Sequence, residues 1–440
     1  MAMLRPFQAY RYSRSLGFDY SNLIAPPYDV LDEASKARLL ELNEYNVVGV
    51  DLPHLPPKSV GPDETYRQAA ETLQRWIADG VLERDHRAAF YPVEQTYVSH
   101  NRTYHRRGFF CLVRLHPFGT GEVIPHERTY AAPIEDRLKL MRATGMSLSP
   151  IFGLYHDPKN EVSSALFAGV GRPEISATLD GVKNDLWNVF DAGVEARVID
   201  LMKGRPIYIA DGHHRYTTAL QYHAEVDREA GGSGRSPQET VLPASHPANY
   251  ALFCLVSMQD AGLQVLATHR MIGGLDGFDI QRFTKAVEPH FVVKEALRMA
   301  GDEQSLLHIP QHGFGLYDGA AKKMYALLPK GTDPLKETHA EQSVTWRRLD
   351  VAVAQHYLIE QVLQPLFAGG REVVRGYTHE VSAAVHGTDG GRYQVALLLR
   401  ATPLSALVEL GKTGEVMPQK STFFYPKLPT GLVMASLRPG

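Results

Sequence analysis

Cysteine is scarce in this sequence, and no apolar run is long enough to cross a membrane. The 440 residues include two cysteines, Cys111 and Cys254, and each lies in a short apolar segment typical of a strand. Two cysteines cannot build a disulfide framework, so we expect both to be buried free thiols, as in a reducing cytosol. Residues 1–12 lack the apolar core of a secretory signal. The sequence therefore predicts a cytoplasmic protein without membrane contact.

An excess of charge of either sign is also missing. Lys and Arg number 46 against 49 Asp and Glu, which gives a formal net charge of -3. Proteins dedicated to nucleic acids usually carry a basic excess, so the composition argues against such a partner. Hydrophobic residues make up 44% of the chain, enough for more than one buried core at this length.

Several well-known nucleotide and hydrolase motifs are absent as well. No Gly-x-x-x-x-Gly-Lys-Ser/Thr segment occurs, which excludes the P-loop class, and no Gly-x-Ser-x-Gly nucleophile elbow occurs. The segment 231–234 (GGSG) comes nearest to a dinucleotide fingerprint. It lies in a polar loop with no strand leading directly into it, so we discount it.

The order of the predicted elements favours an α+β fold with mixed sheets, because strands come in runs and hairpins rather than alternating with helices. The pattern predicts a helix over 63–78 capped by Asp63, and a hairpin with strands over 88–98 and 107–115. A further helix is expected over 133–143, with proline at its first position, and another over 349–362.

We expect three regions along the chain. These are an N-terminal α+β region over 1–115, a catalytic core over 116–275 and a C-terminal α+β region over 276–440.

The most informative segment is 209–216 (IADGHHRY), which predicts a phosphate-binding turn. A short apolar strand precedes it and an amphipathic helix follows, so backbone N–H groups and the helix dipole would face an anion there. Gly212 allows close approach of a ligand, and Arg215 can fork two phosphate oxygens. The alternative interpretation is an ordinary helix start, with Asp211 as the N-cap and the two histidines solvated.

A second polar segment, 126–129 (HERT), contains a carboxylate beside an imidazole. Glu127 is therefore a candidate general base with His126 as its partner. The alternative is a polar loop in which Glu127 or Thr129 caps the next helix.

Two further segments carry cations. Thr268, His269 and Arg270 are expected at the end of an apolar strand, where ligands often bind. In the segment 417–427, Lys420 and Lys427 could neutralise phosphate and Ser421 could donate to it. The alternatives are solvated cations at a sheet edge and lysines that snorkel from a strand.

Metal binding is expected only in a limited form. A Mg²⁺ ion held by Asp211 or Glu127, partly through water and nucleotide phosphates, needs few protein ligands. A zinc or manganese centre built from the histidines lacks a local ligand spacing that would support it.

These segments together resemble the family known as domain of unknown function 1015, over nearly the whole chain. One segment in particular, 209–216, also resembles the turn of the ParB/sulfiredoxin-like superfamily, which includes archaeal ADP-dependent free serine kinases. The matching segments are 25–30 (APPYDV), 126–129 (HERT), 136–138 (DRL), 209–216 (IADGHHRY), 268–270 (THR), 418–422 (PQKST) and 425–427 (YPK).

The superfamily resemblance implies a ParB/sulfiredoxin-like core that carries the strand, the turn and the helix. It implies a catalytic set and a set that binds phosphate or nucleotide. The catalytic residues would be Glu127 as base, Asp211 near the metal or acceptor, and His214. The phosphate-binding residues would be Gly212, His213, His214, Arg215 and His126. Asp29, Arg270, Lys420 and Ser421 are the candidates for binding substrate.

The sequence thus predicts a phosphotransferase that uses Mg²⁺ with ADP or ATP and acts on a small hydroxylated metabolite. Serine or phosphoserine is the leading candidate, in either direction of transfer. A metal-dependent hydrolase and a nucleotide-gated, ParB-like binding module are the alternatives. The sequence leaves open the nucleotide, the acceptor and whether the protein is a homodimer.

Overall fold

The chain folds into two units, each with a large β-sheet. The structure is a computed structural model that describes residues 3–99, 101–296 and 309–439. The first unit comprises Met1–Pro125, Thr129–Leu263 and Pro426–Gly440, and the second comprises His126–Arg128 and Gln264–Tyr425.

The strands alternate with loops and helices along the whole described chain. They are β1 (Leu4–Arg5), β2 (Tyr10–Tyr12), β3 (Leu82–Arg84), β4 (Tyr91–Ser99), β5 (Arg102–Arg114), β6 (Val123–Ile124), β7 (Met146–Ser147), β8 (Ile151–Tyr155), β9 (Ile175–Leu179), β10 (Val182–Leu186), β11 (Ile207–Asp211), β12 (Tyr250–Ser257), β13 (Gln264–Leu266), β14 (His269–Gly273), β15 (Phe291–Glu295), β16 (Phe314–Asp318), β17 (Lys323–Pro329), β18 (Val374–Thr378), β19 (Val395–Leu398), β20 (Phe423–Tyr425) and β21 (Ala435–Ser436).

The helices are of very different lengths. They are α1 (Glu33–Leu42), α2 (Val48–Asp51), α3 (Asp63–Ala78), α4 (Ala131–Thr144), α5 (Glu161–Phe167), α6 (Ala192–Met202), α7 (His213–Glu229), α8 (Ile280–Val287), α9 (Val344–Arg347), α10 (Asp350–Ala352), α11 (Gln364–Phe367), α12 (Val381–Asp389) and α13 (Leu404–Thr413). A π-helix, Val353–Leu363, joins α10 to α11.

The sheet of the first unit has nine strands among the described residues, in the order β6-β11-β8-β12-β5-β4-β10-β9, with β1 paired to β5. Every residue of β12 is buried, as expected for a central strand covered on both faces. β11 runs parallel to β6 and antiparallel to β8, and it ends at Asp211. This sheet therefore places residue 211 at the end of an interior strand.

Helix α7 is held against this sheet by apolar contacts. Tyr216 and Ala219 from α7 belong to the same buried cluster as Ile209 and Phe253. The Tyr216 hydroxyl also donates to the backbone oxygen of His116 at 2.8 Å and accepts from its N–H at 2.9 Å. Full burial of a large apolar side chain such as Ile209 or Phe253 stabilises the fold by roughly 1.5–3 kcal/mol, so these contacts hold the start of α7 against the sheet.

The second unit has a six-stranded antiparallel sheet, in the order β15-β17-β16-β19-β14-β18. Met271 and Ala396 on one face pack with Val381 and Ala384 of α12. β18 is an edge strand of this sheet.

The predicted α+β class is confirmed, and so is the helix over 63–78. Three local predictions are wrong. Asp63 is the first residue of α3 and Pro62 is its N-cap, so Asp63 does not cap the helix. Pro133 is the third residue of α4, not its first. The turn of the hairpin is short, because β4 reaches Ser99 and β5 already begins at Arg102.

Two further segments differ from their predictions. The helix expected over 349–362 is wound mainly as a π-helix. His269 and Arg270 begin β14 instead of ending a strand. The division at residues 115 and 275 stays a prediction, although the nine-stranded sheet takes strands from both sides of residue 115.

Candidate active site

The turn between β11 and α7 is the centre of the candidate site. Gly212 has a φ of 92° and is the N-cap of α7, and no side chain caps the helix there. Its carbonyl accepts the Tyr216 N–H at 3.0 Å. A side chain at this φ would be strained, so the turn requires glycine. The alternative that Asp211 is the N-cap is therefore wrong.

Asp211 joins two cations beside this turn. Its Oδ2 lies 2.8 Å from Arg215 Nη2, and its Oδ1 lies 3.1 Å from Lys427 Nζ. Burial alone would raise the pKa of Asp211, but the charges of Lys427 and Arg215 outweigh burial and hold that pKa well below its usual range. Asp211 is therefore an anion at every ordinary pH, suited to positioning Lys427 and Arg215 rather than to transferring a proton.

Arg215 is turned inward more than the sequence suggested. Besides its ion pair with Asp211, its Nη1 donates to the Pro150 backbone oxygen, and its side chain is 12% exposed. The guanidinium also borders a cavity of about 40 Å³ that Asp51, Arg137 and Ser149 help to line. Its predicted contact with a phosphate stays a prediction.

His214 lies one residue before Arg215 and has a defined tautomer. Its Nε2 accepts the Tyr130 N–H at 3.1 Å, so the ring proton of the neutral form is on Nδ1. Burial, together with the charge of Lys58, lowers the pKa of His214. At pH 7 the ring is therefore mainly neutral, and it can donate a hydrogen bond through Nδ1. His213 beside it is 6% exposed.

The segment 25–30 brings another charged pair close to His214. Asp29 lies in a 3-10 turn, Tyr28–Val30, and its Oδ2 is 3.3 Å from Lys58 Nζ. Both charges act on the pKa of His214, Lys58 lowering it and Asp29 raising it. The predicted residue Asp29 is thus in the same neighbourhood as the turn.

A buried charge network around α4 lies close to Arg215, and no role was predicted for it. Arg137 Nη2 lies 2.7 Å from Asp136 Oδ2, and Arg137 Nη1 lies 3.5 Å from Asp51 Oδ1. The guanidinium also stands over the Tyr28 ring, 4.0 Å from its centroid. The Tyr66 hydroxyl donates to Asp136 at 2.7 Å. Asp136 and Arg137, two opposite charges beside the apolar positions of a predicted helix, could have indicated this network.

Lys427 also belongs to the candidate site, and its position beside Asp211 was not predicted. It was noted only as one cation of the C-terminal segment, yet it follows β20 and belongs to the first unit. Its partner Asp211 is distant in sequence, so no local pattern could have joined the two.

The remaining predicted residues belong to the second unit. His126 is 3% exposed, and its Nε2 lies 2.9 Å from the Thr422 hydroxyl. Glu127 is half-buried. Ser421 is buried and its hydroxyl donates to the Pro418 backbone oxygen, whereas Lys420 is exposed. The roles predicted for these side chains stay predictions.

The segment 268–270 is also in the second unit. Arg270 is 1% exposed and its Nη1 donates to the Thr268 backbone oxygen at 3.0 Å. His269 Nδ1 accepts the Leu399 N–H at 3.2 Å, and burial lowers the pKa of His269 to about 4. His269 is therefore neutral at pH 7.

Metal ligands are not clustered in the part of the chain that the structure describes. Across residues 3–99, 101–296 and 309–439, no three His, Cys, Asp or Glu side chains are arranged to hold an ion. Both oxygens of Asp211 already face cations, so this arrangement does not fit a Mg²⁺ held by Asp211. The need for Mg²⁺ stays a prediction.

Cys111 and Cys254 are buried free thiols, as predicted. Within the described ranges, no helix combines the length and apolarity needed to span a bilayer.

Fold and site together define an α+β protein whose first unit presents a strand–turn–helix beside clustered cations. A family model described as "Protein of unknown function (DUF1015)" matches residues 4–352. The chain belongs to this family.

Solved structures give weaker likenesses. A conserved hypothetical protein from Pyrococcus furiosus is 15% identical, with a TM-score of 0.33 over 72% of this chain and 92% of that one. A free serine kinase in complex with AMP is 13% identical, with a TM-score of 0.35 over 72% and 88%. SbnI with a C-terminal truncation, from Staphylococcus aureus, is 12% identical, with a TM-score of 0.33 over 74% and 86%. No curated protein matches the chain.

Proposed function

We propose that the first unit binds nucleotide phosphates at the start of α7. The protein would transfer a phosphoryl group between ADP or ATP and a small hydroxylated metabolite, with serine or phosphoserine as the leading candidate. The observation that carries this proposal is the glycine-capped start of α7 beside Lys427 and Arg215. A helix of this length offers N–H donors and a partial positive charge to an anion.

The cations beside the turn support phosphate binding because Asp211 holds them in place before a ligand arrives. Lys427 and Arg215 are each within 3.1 Å of this carboxylate. Pre-positioned charges lose little entropy when an anion binds, and they stabilise the charge that develops during phosphoryl transfer. The neutral His214 ring adds a donor that does not depend on pH near neutrality.

In phosphoryl transfer, the protein mainly positions the reactants and stabilises the charge of the transition state. The bond between the terminal phosphorus and its bridging oxygen breaks, a bond forms between phosphorus and the metabolite hydroxyl, and the hydroxyl proton passes to a base. In this proposal the base is Glu127, which is a carboxylate beside an imidazole in the sequence and is the base that the resemblance implies. The proposal also assigns a ParB/sulfiredoxin-like core to residues 116–275.

Lys427→Met tests the binding proposal most simply. Loss of a charged hydrogen bond costs about 1.5–3 kcal/mol, so calorimetry should show ADP or ATP binding at least about tenfold weaker. The matched control is Lys203→Met, which removes an exposed lysine of the same unit. Equal nucleotide affinity in both variants and the wild type would refute the assignment.

Glu127→Gln tests the proposed base separately. The variant should bind nucleotide normally but turn over about 10²-fold more slowly, as expected for loss of a general base. Phosphorus NMR of the protein with ADP or ATP and a panel of hydroxy amino acids measures transfer in both directions. Full turnover by this variant would remove Glu127 from the mechanism.

A further inference from the structure

A buried arginine in the second unit has donors without a hydrogen-bond partner among the residues that the structure describes. Arg270 is 1% exposed, and among the described residues its Nε and Nη2 have no hydrogen-bond partner. Its third nitrogen, Nη1, donates to the Thr268 backbone oxygen. Buried polar groups in proteins are nearly always paired, so two unused donors on one guanidinium call for an explanation.

More unused polar groups lie close to the same guanidinium. Arg270 is paired in register with Tyr377, and Ile272 with Arg375, so Arg270 and Arg375 are diagonal neighbours on one face of the sheet. Within the part of the chain that the structure describes, the buried Arg375 Nε has no hydrogen-bond partner, and neither has the hydroxyl of Thr268, which is 3% exposed. Arg270 is thus linked to Thr268 by a hydrogen bond to its backbone and is a neighbour of Arg375 on the sheet.

The charge of this cluster is not balanced at Arg270. Burial lowers the pKa of Arg270 to about 10, so the side chain remains a cation at pH 7. No carboxylate among the described residues is within ion-pair distance of it, and Arg375 adds a second positive charge. Glu360, whose pKa is lowered mainly by His356 and to a smaller extent by Arg375, provides an acid near Arg375.

We propose that Arg270, Arg375 and Thr268 form a binding site for an oxyanion, either a carboxylate or a phosphate group. An oxyanion accepts several hydrogen bonds and matches the planar fork of arginine. The cluster lies next to the edge of the sheet, because β14 pairs with the edge strand β18, and Tyr377 beside Arg270 is 40% exposed. This site lies wholly in the second unit and does not depend on the proposed nucleotide site.

Calorimetric titration of the full chain with inorganic phosphate and, separately, with acetate tests the proposal. Sodium chloride keeps ionic strength constant, so that general salt effects cancel. The wild type should bind at least one of the two anions, and the one that binds identifies the ligand class. Arg270→Met and Arg375→Met should each weaken that binding about tenfold or more.

Three further variants distinguish anion binding at Arg270 from binding elsewhere in the protein. Arg392→Met removes an exposed arginine of the same unit and should bind like the wild type. Arg270→Lys keeps the charge but loses the planar fork, so it should fold and still bind more weakly. Lys427→Met separates the two proposals. If phosphate binding is lost in Lys427→Met but kept in Arg270→Met, phosphate binds at the start of α7, and that result would overturn the site at Arg270. Absence of binding to both anions, or equal binding by Arg270→Met and the wild type, would also overturn it.

Discussion

Arg137 in the first unit and Arg270 in the second are both buried, at 5% and 1% exposure, but their surroundings differ. Arg137 has the carboxylates of Asp136 and Asp51 beside it. Burial would lower its pKa, yet these two acids outweigh burial and raise it. Around Arg270, burial prevails and the pKa falls. A buried cation with acids beside it belongs to the scaffold, whereas one with no acid at ion-pair distance among the described residues is suited to an external anion.

The first unit repeats the paired pattern at the turn between β11 and α7. Asp211 restrains Arg215 and Lys427 without burying them fully. The cations therefore stay close to the start of α7, where we propose that phosphates bind. The first unit thus contains a buried network around Arg137, called the closed network below, and a partly exposed network around Asp211.

The largest expected effect comes from breaking the closed network. Asp136→Asn removes a carboxylate from a buried arginine, and breaking such a pair typically destabilises a protein by about 3–5 kcal/mol. Urea unfolding of the variant and the wild type measures this difference.

Urea unfolding of Arg270→Met provides the comparison with Asp136→Asn. Without added anion, Arg270→Met removes a buried charge that has no acid beside it, so stability should be unchanged or higher. Similar losses of stability in Asp136→Asn and Arg270→Met would contradict the distinction between the two arginines.

A smaller effect is expected at Asp211, because its side chain is 25% exposed and solvent screens its ion pairs. Asp211→Asn should lower the stability of the protein by about 1 kcal/mol at neutral pH. The pKa of Asp211 is lowered in the folded state, so its contribution is present above the unfolded value near 4 and is lost as pH falls.

Unfolding curves at a series of pH values test that expectation. The gap between Asp211→Asn and the wild type should narrow as the solution becomes strongly acidic. A gap that widens toward low pH would contradict the assigned direction of the pKa shift.

Local patterns predicted the features that depend on neighbouring residues. The apolar face of α3 set its bounds, and the short apolar run before Asp211 indicated β11. A turn at residue 212 was predictable, because Gly212 can adopt the left-handed conformation without strain.

Features that depend on distant parts of the chain were not predictable in this way. The ion pair of Asp211 with Lys427 joins two distant segments. Asp136 and Arg137 are charged residues that a helical pattern normally assigns to solvent, and they are buried because each neutralises the other. The π-helix of Val353–Leu363 has an apolar composition that equally suits an α-helix.

The central claim is that nucleotide phosphates bind at the start of α7. Hydrogen–deuterium exchange of the full chain, with and without ADP or ATP, measures this at individual peptides. The account predicts slower exchange over residues 212–216 when nucleotide is present and unchanged exchange over α3. Nucleotide binding that leaves residues 212–216 unprotected would contradict it.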